Sequence, residues 1–461
     1  MVRVGDHAVV LGASMGGLLA ARTLSEFYHR VTVVERDELI DGPEVRRGVP
    51  QGRQPHVLLA RCGVISEELF PGLTDEMVAD GAHRWSDGDL SRFHVTFAGH
   101  LITRTGRLPE PASLINHYAG RPFIEWHVRR RLRALPNVTI LDGHDFVDYI
   151  SAERAVTGVR VCRRRDGSTS DLGARLVVDA TGRGSRTPFF LEGLGYGRPP
   201  ERELAVHVTY ASMPVRIPDG SLPELMIARL FEPGRPTGFV MFQCERDTWI
   251  VGAGTLGDVR APTTPAEVLA FGAGLVPDHA LAAARAGEPL AGVSLHRFPA
   301  NRWRRYDKMR STPDGLVVLG DAVCSFNPIY GQGMTVASIE AILLRDCLTR
   351  GDRDLPRRFH RAAARPIRVA WQTAVGSDLA LPEVSGLRPI STRVTNAYID
   401  RVLTAAESDP MVAQEFLRVV GMLQPPSRLV APSFVRRVAR SNRRRTHDRV
   451  AAVTQPSREA V

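Results

Sequence analysis

Residues 316–340 read LVVLGDAVCSFNPIYGQGMTVASIE, and this stretch decides the fold. Leu316-Val317-Val318-Leu319 is a short apolar run of the buried parallel-strand type, and it delivers Gly320-Asp321 at its carboxyl end. From Met334 onward, Val336, Ile339, Leu343 and Leu344 recur at helical spacing. Between strand and helix, Gly331-Gln332-Gly333 lets main chain pass close to a flat ring. Asp321 is placed to bond the ribityl hydroxyls of an extended flavin. The amino terminus of the following helix would stabilise the negative charge of a reduced flavin by about 0.3–1 kcal/mol, and by up to about 2 kcal/mol when partly buried. An ordinary strand–turn–helix would have the same outline, but it would not need G-D, N-P and G-Q-G-M together.

Working outward, the amino-terminal 35 residues read as strand, turn, helix, strand. Val9-Val10-Leu11 runs into Gly12-Ala13-Ser14-Met15-Gly16-Gly17, and Val31-Thr32-Val33-Val34 ends at Glu35. This is a βαβ opening with a G-x-G-x-x-G pattern in which Ser14 replaces the second glycine. The first glycine serves the tight turn, the second position allows backbone to approach a pyrophosphate, and Gly17 lets the helix pack on the strand. Ser14 narrows that approach. Met15 and Gly16 open the helix whose free N–H groups face phosphate. Glu35, with Arg36 beside it, is placed for the ribose hydroxyls and would repel a 2′-phosphate. Alone, this motif does not separate FAD from NAD.

The expected fold is α/β: a Rossmann-like FAD-binding domain with a parallel sheet, an inserted antiparallel β-sheet substrate domain and a helical carboxyl-terminal region. The discontinuous FAD-binding domain is placed at 1–85, 120–200 and 296–375, the substrate domain at 86–119 and 201–295, and the helical region at 376–461. Residues 41–56 read as a long loop, 57–70 and 122–134 as helical, and 138–141, 156–163 and 175–178 as strands. Ala205–Ala211, Gly238–Gln243 and Trp249–Val251 read as antiparallel strands. After about residue 335 the pattern is helical, with breaks at Pro356, Pro366, Pro382, Pro410 and Pro425-Pro426.

Composition limits the function classes. Apolar residues are 43% and charged residues 24% of the 461, so the bulk is globular rather than disordered. No uninterrupted apolar run of about 18 residues occurs, so no membrane span is expected. A strand pattern starts near Met1 in place of a signal peptide, which points to a cytoplasmic chain. Five widely spaced cysteines without C-x-x-C argue against a disulfide framework or a zinc site. The net charge is +10, carried almost wholly by arginine, since Lys308 is the single lysine. That balance suits anionic ligands such as nucleotide phosphates, and no helix-turn-helix or zinc-finger pattern points to nucleic acid. The cluster Arg436, Arg437, Arg440, Arg443, Arg444, Arg445 and Arg449 reads as a solvated helix face running into a frayed tail.

With GASMGG and Glu35, DATGRGSR (Asp179–Arg186) and GDAVCSFNPIYGQGM (Gly320–Met334) in place, the chain resembles the FAD-dependent monooxygenases of the p-hydroxybenzoate hydroxylase fold. RRGVPQGRQPH (Arg46–His56) and the Gly320–Met334 segment look closest to the flavin epoxidases of polyether-antibiotic pathways. The resemblance implies that Gly12, Gly17 and Glu35 hold the ADP half of FAD and Asp321 the ribityl chain. It places Arg46 near the cofactor phosphates and Arg129 on the helix beside the flavin, although Arg130 and Arg131 leave that register open. Asp179 falls in a segment that serves both flavin and NAD(P)H in relatives. The same resemblance puts Pro328, Gly331, Gly333 and Met334 at the ring, with Phe326, Asn327 and His56 as candidates near it. A satisfied structural histidine is the plainer reading of His56.

The resemblance further implies transient NAD(P)H docking, or a separate flavin reductase, followed by a flavin C4a-hydroperoxide that gives one atom of O2 to an apolar substrate. No protein acid or base is assigned. An aromatic hydroxylase and an isoprenoid-saturase-type alkene reductase are the alternatives. A halogenase is disfavoured, because Lys308 lies in the wrong region and no W-x-W-x-I-P run occurs. A partner-binding relative without flavin is disfavoured by Glu35 and Asp321.

Overall fold

The computed structural model describes residues 3–454, with side chains to 444. The readings placed on Met1, Arg445 and Arg449 lie outside the described residues and side chains. Five parallel strands form the first layer, in the order Leu316–Val318, Leu176–Asp179, Gly5–Leu11, Tyr28–Val34, Val138–Leu141. Their near-continuous Val, Leu and Ile composition is what a sheet covered on both faces requires. The helices Met15–Leu24, Gly333–Leu348 and Leu355–Asp378 pack into the same apolar core.

A second, larger sheet is mixed. The 16-residue strand Glu201–Arg216 lies between Ser294–Arg304 and Thr248–Leu256, and Thr237–Gln243, Met226–Arg229, Phe93–Phe97 and His100–Leu101 follow outward. All of these pairings are antiparallel except that of Met226–Arg229 with Phe93–Phe97. A register shift between Ala205 and Val208, with His207 at φ +48°, bends the long strand. The strand Ser294–Arg304 stays on this sheet to Arg304, past the expected return to the nucleotide domain near 296. One face of the sheet packs on the short helices Pro265–Phe271 and Asp278–Ala286.

Two further features depart from the sequence reading. His144–Ala152, Ala155–Arg163 and Thr169–Gly173 form a separate three-stranded sheet. Pro366 does not break a helix but lies inside Leu355–Asp378. By contrast, Pro356 and Pro410 stand at helix starts, where the missing N–H costs nothing.

The carboxyl-terminal helices Ile390–Ala406, Pro410–Val420 and Pro432–Thr454 build their own apolar cluster around Val402, Val412, Phe416 and Phe434. They are fastened to the segment 97–114 by Thr103 N donating to Ala406 O (2.9 Å), Glu110 N donating to Gln414 Oε1 (2.8 Å) and Arg418 Nη2 donating to Glu110 Oε2 (2.6 Å). Among the described residues no helix is long and apolar enough to cross a membrane, and the five cysteines are free.

Two buried histidines brace the core. His360 places Nε2 3.2 Å from Val318 O on the strand leading to Asp321, and His117 accepts from Arg84 Nε at 3.2 Å. Burial above all pushes both pKa values down to about 4. The folded state therefore keeps these imidazoles neutral where the unfolded chain, at about 6.5, takes up protons. Stability then falls as pH drops through the window from about 6.5 to about 4, by up to about 1.4 kcal/mol per pH unit for each histidine. We expect the thermal midpoint to decline across that window and His117→Gln to flatten the decline. A midpoint equally steep in the variant would show that His117 is not a source of it.

Candidate functional site

The strands ending at Leu11, Asp179 and Val318 are neighbours, so the three glycine-rich turns open at one sheet edge. Gly12 sits at φ +100°, and a Cβ there would stand 2.7 Å from Ala180 O. Gly17 packs the first helix on this turn: its Cβ would meet Gly12 O at 1.9 Å. Glu35 Oε2 accepts from Ala13 N at 2.8 Å, and Oε1 from Asp37 N at 3.0 Å. Its carboxylate thereby holds the turn while still facing the cavity.

Ser14 is the helix N-cap residue, but its hydroxyl does not cap. Oγ donates to Glu125 Oε2 (2.9 Å) and accepts from Arg121 Nη2 (2.9 Å). Glu125 also accepts from Arg46, which lies 3.2 Å from Glu35 Oε2 and donates to Ala13 O (3.0 Å). Burial works against the Glu125 carboxylate, but Arg121 and Arg46 outweigh it and hold its pKa below the usual value. Arg46 is thus an internal partner of carboxylates beneath the turn and does not line the cavity, whereas Arg121 does. Arg129 is likewise turned away from the cavity. Its Nη2 donates to Ile40 O (2.9 Å) and Gly42 O (3.1 Å), away from the cavity. Arg121 and Arg129 are eight residues apart on the helix Arg121–Arg133, about 12 Å along its axis, and only the amino-terminal one reaches Ser14.

Asp179 also turns inward. Its carboxylate accepts from Thr181 N (2.9 Å) and from the hydroxyls of Thr181, Ser185 and Thr187, and it is 1% exposed. It shapes the DATGRGSR turn, while Thr181, Gly182, Arg183 and Arg186 face the cavity.

At the other glycine-rich turn, Gly320 (φ +64°) and Gly331 (φ +68°) take backbone conformations that favour glycine. Asp321, Phe326, Pro328, Gly331, Gly333 and Met334 all line the cavity. Asp321 is open to the cavity yet enclosed by protein, and no protein group hydrogen-bonds its carboxylate among the described residues. That enclosure raises its pKa, against the pull of Arg121 and Arg183. Behind the turn, the fully buried Glu340 accepts from Gly320 N at 2.7 Å, and burial pushes its pKa up to about 8. Asn327 does not face the cavity; its side chain is wholly buried behind the loop.

The turns give onto one cavity of about 1660 Å3, larger than the roughly 300–1,000 Å3 of a single-ligand site. Arg36 and His144 line it at the end beside Glu35. Away from the turns its wall is apolar: Phe93 and Phe239 come from the large sheet, Phe231 from the loop after Met226–Arg229, Trp85 from the two-stranded pairing of His83–Trp85 with Asn116–Tyr118, and Leu403 and Phe416 from the carboxyl-terminal helices. Those helices therefore close the chamber and do not merely cap the fold. His56 faces the cavity with its Nδ1 2.8 Å from Gln54 O. Burial, and then Arg121, push its pKa down to about 4. The neutral ring must donate from Nδ1 to that carbonyl, which leaves Nε2 as an acceptor.

Sequence reasoning did not single out Arg121, Glu125 or Glu340. The available signal was acids in helices that are otherwise apolar or basic, at Glu125 in RPFIEWHVRRRLR and Glu340 in GMTVASIEAILL.

The two sheets and the helices around the glycine-rich turns have the p-hydroxybenzoate hydroxylase fold of FAD-dependent monooxygenases. Within it the chain belongs to the family of protein Rv3254 of Mycobacterium tuberculosis (strain ATCC 25618 / H37Rv), with 37% identity over 437 residues and 91% of each chain covered. Kynurenine 3-monooxygenase of Salinispora arenicola (strain CNS-205) is 25% identical over 434 residues, covering 87% of this chain and 85% of the relative. The solved structure of the flavin-dependent brominase Bmp2 superposes with a TM-score of 0.63 at 14% identity, over 90% of this chain and 93% of Bmp2. No family model matches the chain.

Gly17→Ala forces a methyl group against a backbone carbonyl. It is expected to cost at least about 1–3 kcal/mol, as overpacking does, and to lower the thermal midpoint. An unchanged midpoint would show that the turn yields without strain.

Proposed function

We propose that this protein is an FAD- and NAD(P)H-dependent monooxygenase that epoxidises an alkene of a bulky, apolar, polyketide-like metabolite. The observation that carries this reading is one continuous cavity, polar and glycine-rich at the sheet edge and apolar beyond it. The residues present fit FAD: a turn that a Cβ would fill at Gly12, cavity-facing Glu35, and an enclosed Asp321 whose carboxylate has no protein hydrogen-bond partner among the described residues. Glu35 takes the adenosine ribose, Ser14, Met15, Gly16 and Arg121 flank the pyrophosphate, Arg36 lies at the adenosine end, and Asp321 holds the ribityl chain. Pro328, Gly331, Gly333 and Met334 form the seat of the ring. When bound, FAD supplies the redox and oxygen-transfer chemistry. The chain's part is to orient both ligands and to keep water from the reacting face, which the sheet and the carboxyl-terminal helices accomplish from two sides.

The electron donor in this reading docks transiently, since a second dinucleotide-binding βαβ unit is absent among the described residues; a separate reductase is the alternative source. Lys308, the single lysine, is not on the cavity wall, which keeps lysine-dependent halogenation disfavoured. Hydroxylation of an aromatic ring is a second reading. It is favoured by the Nε2 acceptor of His56 in the chamber, which can accept a hydrogen bond from a phenol, and by the likeness to kynurenine 3-monooxygenase.

Purified protein incubated with FAD, NAD(P)H and isotopically labelled O2 tests these readings against panels of apolar alkenes and phenols. Label in an epoxide supports epoxidation, and label in a ring hydroxyl supports the second reading. Alkene reduction without oxygen uptake would overturn both.

The residue roles are tested separately. Asp321→Ala and Arg121→Ala are each expected to weaken FAD retention by about tenfold to a hundredfold, the scale of a lost charge-assisted hydrogen bond. Arg129→Ala is expected to lower the thermal midpoint and leave FAD affinity nearly unchanged. Unchanged flavin stoichiometry in Asp321→Ala after gel filtration would remove the ribityl assignment.

A further inference from the structure

Asp378 is the last residue of the helix Leu355–Asp378, and its side chain is fully buried. It accepts three hydrogen bonds: Asn301 Nδ2 to Oδ2 at 2.7 Å, and Asn327 Nδ2 at 3.0 Å and Tyr330 OH at 2.7 Å to Oδ1. These donors come from the large sheet and from the loop that seats the ring.

Backbone geometry fixes the orientation of both amides. Asn327 N–H donates to Asn301 Oδ1 at 2.6 Å, so the amide nitrogen of Asn301 must face Asp378. Ile329 N–H and Tyr210 OH both donate to Asn327 Oδ1, so Asn327 likewise turns its nitrogen to Asp378. The carboxyl group therefore meets two donors that cannot reverse, and a hydroxyl that donates as well. Burial raises its pKa, opposed by those three donors, but the network is built for the anion. The network reaches the chamber wall: Tyr330 donates to Asp378 directly, Asn327 links it to Tyr210, and both tyrosines line the cavity.

We propose that Asp378 is a positioning residue with an electrostatic role, a fixed negative charge behind the Asn327–Gly331 loop that lowers the reduction potential of the FAD seated on it. The inference rests on the FAD reading above. Reduced FAD carries more negative charge than oxidised FAD, so a nearby carboxylate in a poorly screened interior disfavours reduction. One group thus both orders the loop and biases the redox equilibrium.

The test is the two-electron midpoint potential of bound FAD, measured by dye equilibration together with flavin stoichiometry and thermal midpoint. Asp378→Asn is expected to shift the potential to more positive values in flavin-loaded protein. Asp378→Leu, which removes the charge without setting amide protons against the two fixed donors, is expected to shift it in the same direction, and this variant carries the test if Asp378→Asn does not fold. A purely structural role predicts lower flavin content and thermal midpoint with an unmoved potential, and that result, or a negative shift, overturns the proposal. Wild-type protein that binds no FAD would instead sink the flavoprotein reading, and this inference with it.

Discussion

The strands Gly5–Leu11, Leu176–Asp179 and Leu316–Val318 lie side by side and parallel, with Leu11 opposite Asp179 and Asp179 opposite Val318. Parallel neighbours must all end on the same edge, so three segments far apart in the chain deliver their turns to one place. Ligands of open α/β sheets bind beyond that carboxyl edge. The intervening lengths of chain are free to build something else, and here they build the large sheet. The chamber exists because that sheet and the carboxyl-terminal helices enclose the space the parallel strands open onto.

The second organising feature is how charge is kept at this edge. A nucleotide site needs cations and main-chain donors, but arginines left unpaired in a half-buried site cost solvation. Arg46 is held by Glu35 and Glu125, and Arg121 by Glu125 and Ser14. The departure at Ser14 is explained by this arrangement: its hydroxyl joins the helix Arg121–Arg133 to the first turn, a link that glycine cannot make. A site with paired guanidinium groups is stable before a ligand arrives, and Arg121 still presents an edge to the cavity.

Features written into short contiguous patterns were legible in the sequence. The βαβ opening, the Gly320–Met334 turn, the antiparallel strands within 201–256 and the helical end all follow from periodicity and glycine placement. What was not legible is direction. Asp179 stands at a strand end, as a cofactor ligand would, yet three hydroxyls and an N–H turn it inward. Arg129 belongs to a run of arginines whose register no local pattern fixes, and the two-turn separation from Arg121 decides which one meets Ser14. Pro366 reads as a break, but its helix carries a strongly apolar face from Phe359 to Ala374 against the core, and that packing tolerates the proline. The three-stranded sheet at 144–173 was read only in part, because its strands are largely exposed and carry little apolar alternation.

The least legible element is also the one that joins the two halves. Asp378, Asn301, Asn327, Tyr330 and Tyr210 come from a helix end, two strands and a loop, and no spacing in the chain relates them. Each is an ordinary residue in its local context. Their relation appears only when the sheet and the loop are brought together, because an acid buried at a helix carboxyl terminus is disfavoured by its own helix dipole and must find donors elsewhere. Meeting that need ties the Asn327–Gly331 loop to the large sheet. The same hydrogen bonds that hold the loop therefore run to Asn301 and Tyr210 of the large sheet, so the chamber wall and the loop share one buried network.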